Sequence, residues 1–258
     1  MKILQVIPGL AKAAGTSVFC GELANELVAN GHAVTVAVCN PNVADHYPLD
    51  SRIGLISIDA VLGASRSASD YDIVHIHSLW LPALHQVSVW AHKNGIPVVW
   101  SPHGMITPWA MRNKRLKKLI GWYLYQKRDL QSAALLHATA ESEVDDIRRM
   151  GLKNKVVIAP LGVHLHKPNI RTSEHSNIRT LLFVSRVQRK KGLPNLIEAW
   201  SRLPEDLRKS WQVRQCYGPH NSEAPDGVRE LAMRIAAALK EESARNRKKK
   251  NYRNKKAA

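Results

Sequence analysis

Cysteine is scarce in this sequence of 258 residues, and what there is occurs at wide spacing. The three cysteines are Cys20, Cys39 and Cys216, with no CxxC pair among them. An odd number of separated cysteines argues against a disulfide framework and against a zinc site built on paired cysteines. We therefore expect no bound metal and a reducing, cytoplasmic location.

Long apolar runs are also lacking. No stretch approaches the roughly 20 apolar residues that span a bilayer. The opening "MKILQVIPGLAKA" resembles a secretory signal in outline, but Gln5 and Pro8 interrupt its short apolar run. We interpret it as a first buried strand that ends in a Pro-Gly turn.

Acidic residues are few. The 21 Asp and Glu stand against 38 Lys and Arg, a formal charge of +17. Lys240–Ala258 holds 9 basic and 2 acidic residues, which is +7 of that total and leaves +10 on the rest. This excess favours an anionic partner, such as a nucleotide, a phospholipid or a nucleic acid, and charge alone does not choose among them.

Short runs rich in Val, Ile and Leu alternate with helical patterns from the first residue onward. Ser17–Asn30, for example, places apolar residues at helical spacing and stops at Gly31. The alternation predicts an α/β fold with a parallel sheet covered by helices. Strands are expected at Lys2–Ile7, Ala33–Val38, Leu55–Ile58, Ile73–His77, Pro97–Ser101, Leu135–Ala138 and Lys155–Ala159.

Four regions are expected along the chain. Residues 1–165 should form a Rossmann-like domain, 166–178 a polar linker, 179–240 a partial second domain, and 241–258 a basic disordered tail. In the second domain the elements are expected at Arg179–Ser185 (strand), Leu193–Leu203 (helix), Trp211–Tyr217 (strand) and Gly227–Lys240 (helix).

Six local sequences occur in an order typical of one family: "GHAVTV", "DIVHIHSLW", "GIPVVWSPHGMITP", "YQKRDLQSAALLHATAESE", "PLGV" and "LLFVSRVQRKKGLPNLIEAW". Together they make the chain, from Met1 to about Trp211, resemble the family-four (group 1) retaining glycosyltransferases of bacterial surface-polysaccharide synthesis. That resemblance implies the GT-B architecture of two facing Rossmann-like domains. It also implies transfer of a sugar from a nucleotide-sugar donor to an acceptor, with no cofactor and no obligatory metal.

The loop after the first strand is the first candidate site. It leads through Ala14 to Gly15 and Thr16, where the amides at a helix N-terminus could bind an anion or a sugar hydroxyl. Members of the family usually have glycine where this chain has Ala14, which weakens the expected donor contact. A tight turn that only packs helix against strand is the alternative.

His103, in "SPHG" after the fifth strand, resembles the histidine that faces the donor sugar in this family, and Gly104 would let the chain turn behind it. A structural or solvated histidine is the alternative. His75 and His77 are expected to point to opposite faces of their strand, so that one of them could line the cleft and the two could not share a metal ion.

Arg186 and Lys191, in "SRVQRKKG", match the arginine and lysine that the family places at the donor diphosphate. Their positive charge would stabilise the departing nucleotide. A generic basic turn is the alternative.

The segment Arg112–Gln131 combines basic residues with Leu, Ile, Trp and Tyr, and we interpret it as a basic amphipathic helix. Such a helix could contact anionic lipid at the inner face of the membrane, which would suit a lipid-linked acceptor. Packing of its apolar stripe on the first domain is the alternative.

The sequence departs from the family pattern near its end. Members carry two glutamates eight positions apart, and this chain has no such pair. His164 also stands where an aspartate is expected. We interpret these departures as C-terminal truncation or a change of reading frame, and a partner subunit that supplies the missing half would look the same. The alternative function is a non-catalytic protein that binds membrane or nucleic acid, although no nucleic-acid-binding motif is present.

Overall fold

The computed structural model describes residues 1–12, 14–42, 46–63, 68–160, 162, 179–185 and 191–216. The chain divides into two compact units, Met1–Leu165 and His166–Ala258. The predicted helix Gly227–Lys240 and the predicted basic tail lie outside the described residues.

The first unit is built on a parallel sheet of seven strands in the order β3-β2-β1-β4-β5-β6-β7. Every predicted strand is confirmed to within one residue at each end. The strands are β1 (Lys2–Val6), β2 (Ala33–Val38), β3 (Gly54–Ser57), β4 (Ile73–His77), β5 (Val98–Ser101), β6 (Leu135–Ala138) and β7 (Val156–Ile158).

Helices cover both faces of this sheet, as the alternation of patterns predicted, so the α/β Rossmann-like fold class is confirmed. The helices are α1 (Gly15–Ala29), α2 (Ile58–Leu62), α3 (Pro82–Lys93), α4 (Pro108–Arg112), α5 (Arg115–Gly121), a π-helical turn (Trp122–Gln126), α6 (Lys127–Ser132) and α7 (Glu141–Arg149). A 3₁₀ turn covers Ala68–Asp70.

The strand period divides the core into two layers. In β1, Leu4 and Val6 pack in one buried cluster with residues of α2 and α3, whereas Ile3 packs in a second cluster with residues of α1. Gln5 lies on the α1 side with Ile3, because alternate residues of a strand share a face. A polar side chain is therefore inserted into an apolar layer.

The strand order reverses between β1 and β4. Chain connections from these two neighbours run to opposite halves of the sheet, which leaves a crevice at their carboxyl ends where ligands of open α/β sheets bind. The loop after β1, the turn after β4 and the turn after β5 all meet at this edge.

The second unit contains two described strands, β8 (Arg179–Val184) and β9 (Trp211–Cys216), paired in parallel. Between them lie α8 (Leu193–Ser201) and α9 (Glu205–Ser210). The predicted strands at 179 and 211 are confirmed, and the predicted helix ends at Ser201, two residues before the expected end.

Candidate functional site

His103 lies at the carboxyl edge, in the turn that follows β5. Its backbone is left-handed, with φ of 51°, and Gly104 follows with φ of 68°. A left-handed histidine needs support from its surroundings. That support comes from Glu143 of α7, whose buried carboxylate accepts a hydrogen bond from the Gly104 amide at 2.7 Å and others from the Thr139 amide and hydroxyl at 2.8 and 2.9 Å.

His103 belongs to a cluster of four histidines. His103 Nε2 lies 3.1 Å from His77 Nδ1, and His77 Nε2 lies 2.5 Å from the Gln5 side-chain oxygen. The Phe19 ring of α1 packs against three of the rings, with centroid distances of 5.7 Å to His77, 5.2 Å to His103 and 5.5 Å to His137.

A second chain of hydrogen bonds runs beside the first. His75 Nε2 lies 2.7 Å from Ser101 Oγ, which lies 2.8 Å from His137 Nδ1. His137 Nε2 donates to the Ala159 carbonyl at 2.9 Å. Residues from β4, β5 and β6, with the segment after β7, thus converge on one face of the sheet.

The prediction that His75 and His77 point to opposite faces is wrong. Their ring centroids are 4.1 Å apart on the α1 side of the sheet. The physical reason is the strand period of two, which turns residues i and i+1 to opposite faces and returns i+2 to the first. Even so, the described part of the chain contains no group of three or more His, Cys, Asp or Glu arranged to hold a metal ion.

Burial determines the charge of the cluster. It lowers the pKa of His75 to about 3 and that of His77 well below its usual value, and the neighbouring histidines lower both further. Burial also lowers the pKa of His103 to about 4, against the opposing effect of the Glu143 carboxylate. At neutral pH these rings are uncharged, so they offer hydrogen bonds rather than positive charge.

An apolar groove of about 590 Å³ adjoins the cluster on the same face. His75 and His137 stand in its wall, and the remaining wall is mainly apolar. Its apolar lining residues include Ile3, Leu23, Leu27, Ile73, Val99 and Leu135. The groove thus places low-polarity surroundings beside His75, whose pKa is lowered by burial.

Gly15 and Thr16 begin α1 at the same edge. Gly15 is exposed, and a Cβ added to it would meet nothing within 4 Å, so the space beside it is open to a ligand. Ala14 precedes the helix with no side-chain oxygen to cap it, and Ser17 Oγ closes the loop by donating to the Gly9 carbonyl at 2.9 Å. The helix N-terminus thus retains its tendency to attract anions and hydroxyl oxygens.

Strained backbone concentrates at this edge. Outside glycine, positive φ occurs among the described residues at Ser78, Trp80, His103 and Lys114. Ser78 and Trp80 form the turn after β4, beside His103. Such strain is retained where surrounding structure enforces it, and it clusters at functional sites.

The predicted diphosphate ligands belong to the second unit. Arg186 lies outside the described residues, and Lys191 is exposed just before Gly192 and the start of α8. The roles of both residues stay predictions.

The basic segment forms a helix that begins three residues later than predicted, at Arg115. Asn113 is extended and Lys114 is left-handed, with φ of 54°, so the chain from Arg112 is interrupted there. The buried side carries Gly121, Trp122, Gln126, Asp129 and Leu130.

The opposite side of this helix exposes large apolar residues. The exposed fractions are 76% for Leu116, 66% for Ile120, 72% for Tyr123 and 75% for Leu124. Packing therefore accounts for one stripe of the helix and leaves a second apolar stripe in solvent.

The turn after β4 is bonded to this helix. The Trp80 amide donates to Gln126 Oε1 at 2.8 Å, and Tyr125 Oη donates to the Trp80 carbonyl at 2.8 Å. Lys118 Nζ lies 5.4 Å from the Trp80 ring centroid. The basic segment is thus joined directly to the edge of the sheet that carries His103.

The sequence did not indicate four polar residues as functional candidates. Three of them belong to the histidine cluster or bond to it, and one supports the His103 turn: Gln5, Ser101, His137 and Glu143. The available signal was polarity, because Gln5 and His137 interrupt strands that are otherwise apolar. Buried polar residues of that kind require partners, and the partners come from other strands.

The sequence model of Glycosyltransferase Family 4 matches residues 13–167. None of the curated proteins compared with this sequence matches it. Among solved structures, sucrose-phosphate synthase from Thermosynechococcus elongatus is similar in fold, with 14% identity over 91% of this chain and 67% of that one, at a TM-score of 0.61.

HepE from Anabaena, solved with UDP and glucose, is similar to the same degree, with 14% identity over 92% of this chain and 66% of that one, at a TM-score of 0.61. The same protein with UDP-glucose matches with 14% identity, a TM-score of 0.61, and 91% and 65% of the two chains. This chain thus spans about two thirds of the length of these structures.

Proposed function

The chain belongs to Glycosyltransferase Family 4, because the family model covers more than half of its length. From that membership we propose the reaction that its site serves. The reaction is transfer of a sugar from a nucleoside-diphosphate sugar to an acceptor hydroxyl, in synthesis of a surface polysaccharide or other glycoconjugate. Retention at the anomeric carbon and independence of a metal are part of this proposal.

The observation that carries the proposal is the neutral histidine cluster at the strand-order reversal. An uncharged His103, held in a strained turn, suits recognition of sugar hydroxyls, which form directed hydrogen bonds and carry no charge. The UDP and UDP-glucose bound by Anabaena HepE support the donor class.

In this proposal His103 contacts the donor sugar, and Gly15 and Thr16 contact the donor through the start of α1. Arg186 and Lys191 hold the diphosphate and stabilise the charge that develops as the glycosidic bond breaks. His75, His77 and His103 are uncharged at neutral pH because burial lowers their pKa values, so this proposal assigns the diphosphate to Arg186 and Lys191.

Donor binding by this chain is expected to be weak. The two glutamates that the family resemblance implies for the donor sugar and ribose are absent from the sequence. Loss of such a hydrogen-bonding carboxylate costs on the order of 1.5–3 kcal/mol, roughly ten- to a hundredfold in affinity.

Titration calorimetry with UDP, UDP-glucose and other nucleoside-diphosphate sugars tests the function, alongside a radiolabelled transfer assay. His103→Ala should weaken binding of the nucleotide sugar, and Arg186→Ala or Lys191→Ala should weaken binding of the nucleotide itself. His92→Gln, at an exposed residue in the last turn of α3 and away from this edge, is the control. Failure of every nucleotide and nucleotide sugar to bind would refute the proposal.

We further propose a peripheral contact between the basic helix and the membrane that carries the acceptor. The stripe Leu116, Ile120, Tyr123 and Leu124 is apolar and exposed, and Lys114, Arg115, Lys117 and Arg128 are exposed around it. Apolar area rimmed by cations matches an anionic bilayer, which accepts the side chains and attracts the charges. Among the described residues, no helix has both the length and the apolar character to cross a bilayer.

Vesicle sedimentation tests this contact. The protein should bind vesicles with phosphatidylglycerol and bind pure phosphatidylcholine vesicles much less. Leu116→Ser with Leu124→Ser should lower the affinity for these vesicles roughly a hundredfold, because each exposed leucine contributes roughly 1.5 kcal/mol when buried, or about 3 kcal/mol for the two. Val89→Ser, at an exposed valine of α3, should change nothing, and equal loss there would contradict the assignment.

A further inference from the structure

Gln5 is a buried amide whose hydrogen-bonding capacity is only partly used. It has no exposed surface, and it lies in β1, an interior strand of the sheet, between apolar neighbours. Its Oε1 lies 2.5 Å from His77 Nε2 and 3.6 Å from Cys20 Sγ, while its Nε2 has no hydrogen-bond partner in the described part of the chain. An unpaired buried donor is unfavourable, so the residue needs an explanation other than stability.

The hydrogen bonds of Gln5 determine where the protons of two histidines lie. The Gln5 carbonyl oxygen can only accept, so His77 Nε2 donates to it. A neutral imidazole has one N–H, which leaves His77 Nδ1 as an acceptor. His103 Nε2, at 3.1 Å from that acceptor, must then donate, and His103 Nδ1 is left without a proton.

The second chain of hydrogen bonds also places the histidine protons on Nε2, and it starts from a different acceptor, the Ala159 carbonyl oxygen. The Ala159 carbonyl oxygen accepts from His137 Nε2, so His137 Nδ1 accepts from the Ser101 hydroxyl. The Ser101 oxygen then accepts from His75 Nε2. All four histidines carry their proton on Nε2, and each chain is anchored by an oxygen that can only accept.

We propose that Gln5 and His77 are positioning residues that hold His103 as its Nε2–H tautomer, so that its Nδ1 lone pair accepts a hydrogen bond from a ligand hydroxyl. That the hydroxyl belongs to the donor sugar rests on the proposed function. The assignment of the protons to ring nitrogens of His77 and His103 does not rest on the proposed function.

The opposite arrangement has a definite signature. If the Gln5 amide were turned, its NH₂ group would donate to His77 Nε2, and the proton of His77 would move to Nδ1. His103 would then accept at Nε2 and present an N–H to the ligand. The Cys20 thiol, placed to donate to Gln5 Oε1, favours the first arrangement.

Long-range ¹H–¹⁵N spectra of the histidine rings decide between the two. In the wild-type chain at neutral pH, His77 and His103 should each show an unprotonated Nδ1. A protonated Nδ1 on His103 would overturn the proposal, and this measurement needs neither ligand nor activity.

Substitutions then test the dependence on Gln5. Gln5→Leu should leave His77 and His103 as mixtures of tautomers, while His75 and His137 keep theirs because their anchor is intact. Gln5→Glu, whose carboxylate accepts a hydrogen bond as the amide oxygen does, should keep the wild-type tautomers of His77 and His103. Ser88→Ala, which removes a buried hydroxyl from α3 on the other face of the sheet, is the control. Unchanged tautomers in Gln5→Leu would refute the positioning role.

Calorimetry tests whether the tautomer of His103 affects binding of the sugar. Gln5→Leu should weaken UDP-glucose binding about tenfold and leave UDP binding unchanged, because only the sugar meets His103. Equal affinities for UDP-glucose in Gln5→Leu and the wild type would refute recognition of the sugar by His103 Nδ1. If the wild type binds no nucleotide sugar, the proposed function fails together with the sugar contact, while the spectra still decide the proton order.

Discussion

Glu143 determines the conformation of the turn that carries His103. One carboxylate accepts three hydrogen bonds, from the Gly104 amide and from the amide and hydroxyl of Thr139. Its negative charge also opposes the effect of burial on the pKa of His103. A single buried side chain therefore supports the strained turn and partly offsets the effect of burial on His103.

Glu143→Ala should destabilise the fold by about 2–4 kcal/mol, because it leaves buried donors without an acceptor. Chemical denaturation monitored by circular dichroism measures the free energy of unfolding. Glu141→Ala, two residues earlier in the exposed first turn of α7, should cost less than about 1 kcal/mol. Equal losses in the two variants would show that the turn does not depend on Glu143.

The histidine cluster should make stability fall in mild acid. Folded His75 and His103 have pKa values lowered to about 3 and about 4, below their usual 6.5, and that of His77 is lowered as well. Between those values the unfolded chain binds more protons than the folded one, so stability is fully present above about pH 6.5 and is lost as pH falls toward 4. Each such histidine contributes a slope of about 1.4 kcal/mol per pH unit in that window.

Urea denaturation at pH 7.5, 6, 5.5 and 5 measures this slope. His75→Gln removes one titrating group, so the slope of the free energy of unfolding against pH should fall by the contribution of about one proton. Val89→Ser, at an exposed residue of α3, removes no titrating group and should leave the dependence unchanged. A free energy of unfolding that stays constant between pH 6.5 and 5 would contradict the neutral, buried state of the cluster.

Single residues were predictable from sequence where a local pattern positions them. His103 follows a strand and precedes a glycine, and both features can be recognised in "WSPHG". Gln5, Ser101 and His137 belong to three different strands, and only the strand order brings them together. Glu143 lies 39 residues from the amide it binds, a distance that no local pattern spans.

At the scale of the element, the strands were the most predictable part because each is a short apolar run bounded by turn residues. The helix at 115–132 was less so. Its amphipathic pattern predicts a continuous helix from Arg112, whereas the chain is left-handed at Lys114. The π-helical turn at Trp122–Gln126 is bonded to Trp80 through Tyr125 and Gln126. A π-helical turn has no distinctive local sequence, and such turns often occur at functional sites.

Lys114, the left-handed residue before α5, is a position where glycine should stabilise the chain, whereas glycine inside α5 should destabilise it. Lys114→Gly should stabilise the chain by up to about 1 kcal/mol, since glycine adopts φ of 54° without the steric cost of a Cβ. Lys117→Gly, inside α5, should destabilise it by about 1 kcal/mol. Lys114→Ala separates conformation from charge, and a destabilising Lys114→Gly would contradict the left-handed assignment.

At the scale of the molecule, the sequence predicted the α/β class and its seven parallel strands, because alternating elements leave few alternatives. The structure divides into Met1–Leu165 and His166–Ala258, and the expected division of the second part into linker, partial domain and tail stays a prediction. The family also followed from sequence, because motifs that are weak singly occurred in one order. What the sequence could not determine was the polar network, which exists only once the strands are side by side.

The two units differ in how their strands are covered, and this predicts unequal stability. In the first unit β1, β4 and β5 are central, and helices bury both faces. In the second, the described sheet has two strands, and Leu181, Leu182 and Val184 of β8 are 41%, 53% and 65% exposed. A two-stranded sheet with an uncovered apolar face is marginal in water.

Hydrogen exchange on the full chain should therefore show slow exchange in β1, β4 and β5 at the level of global unfolding, and much faster exchange in β8 and β9. The fragment Met1–Leu165 should unfold in one cooperative transition, because both core clusters lie almost wholly within it. Addition of UDP-glucose to the full chain is the informative control, since a bound donor should slow exchange in β8 and β9. Equal protection of all five strands without ligand would show that the second unit is as stable as the first.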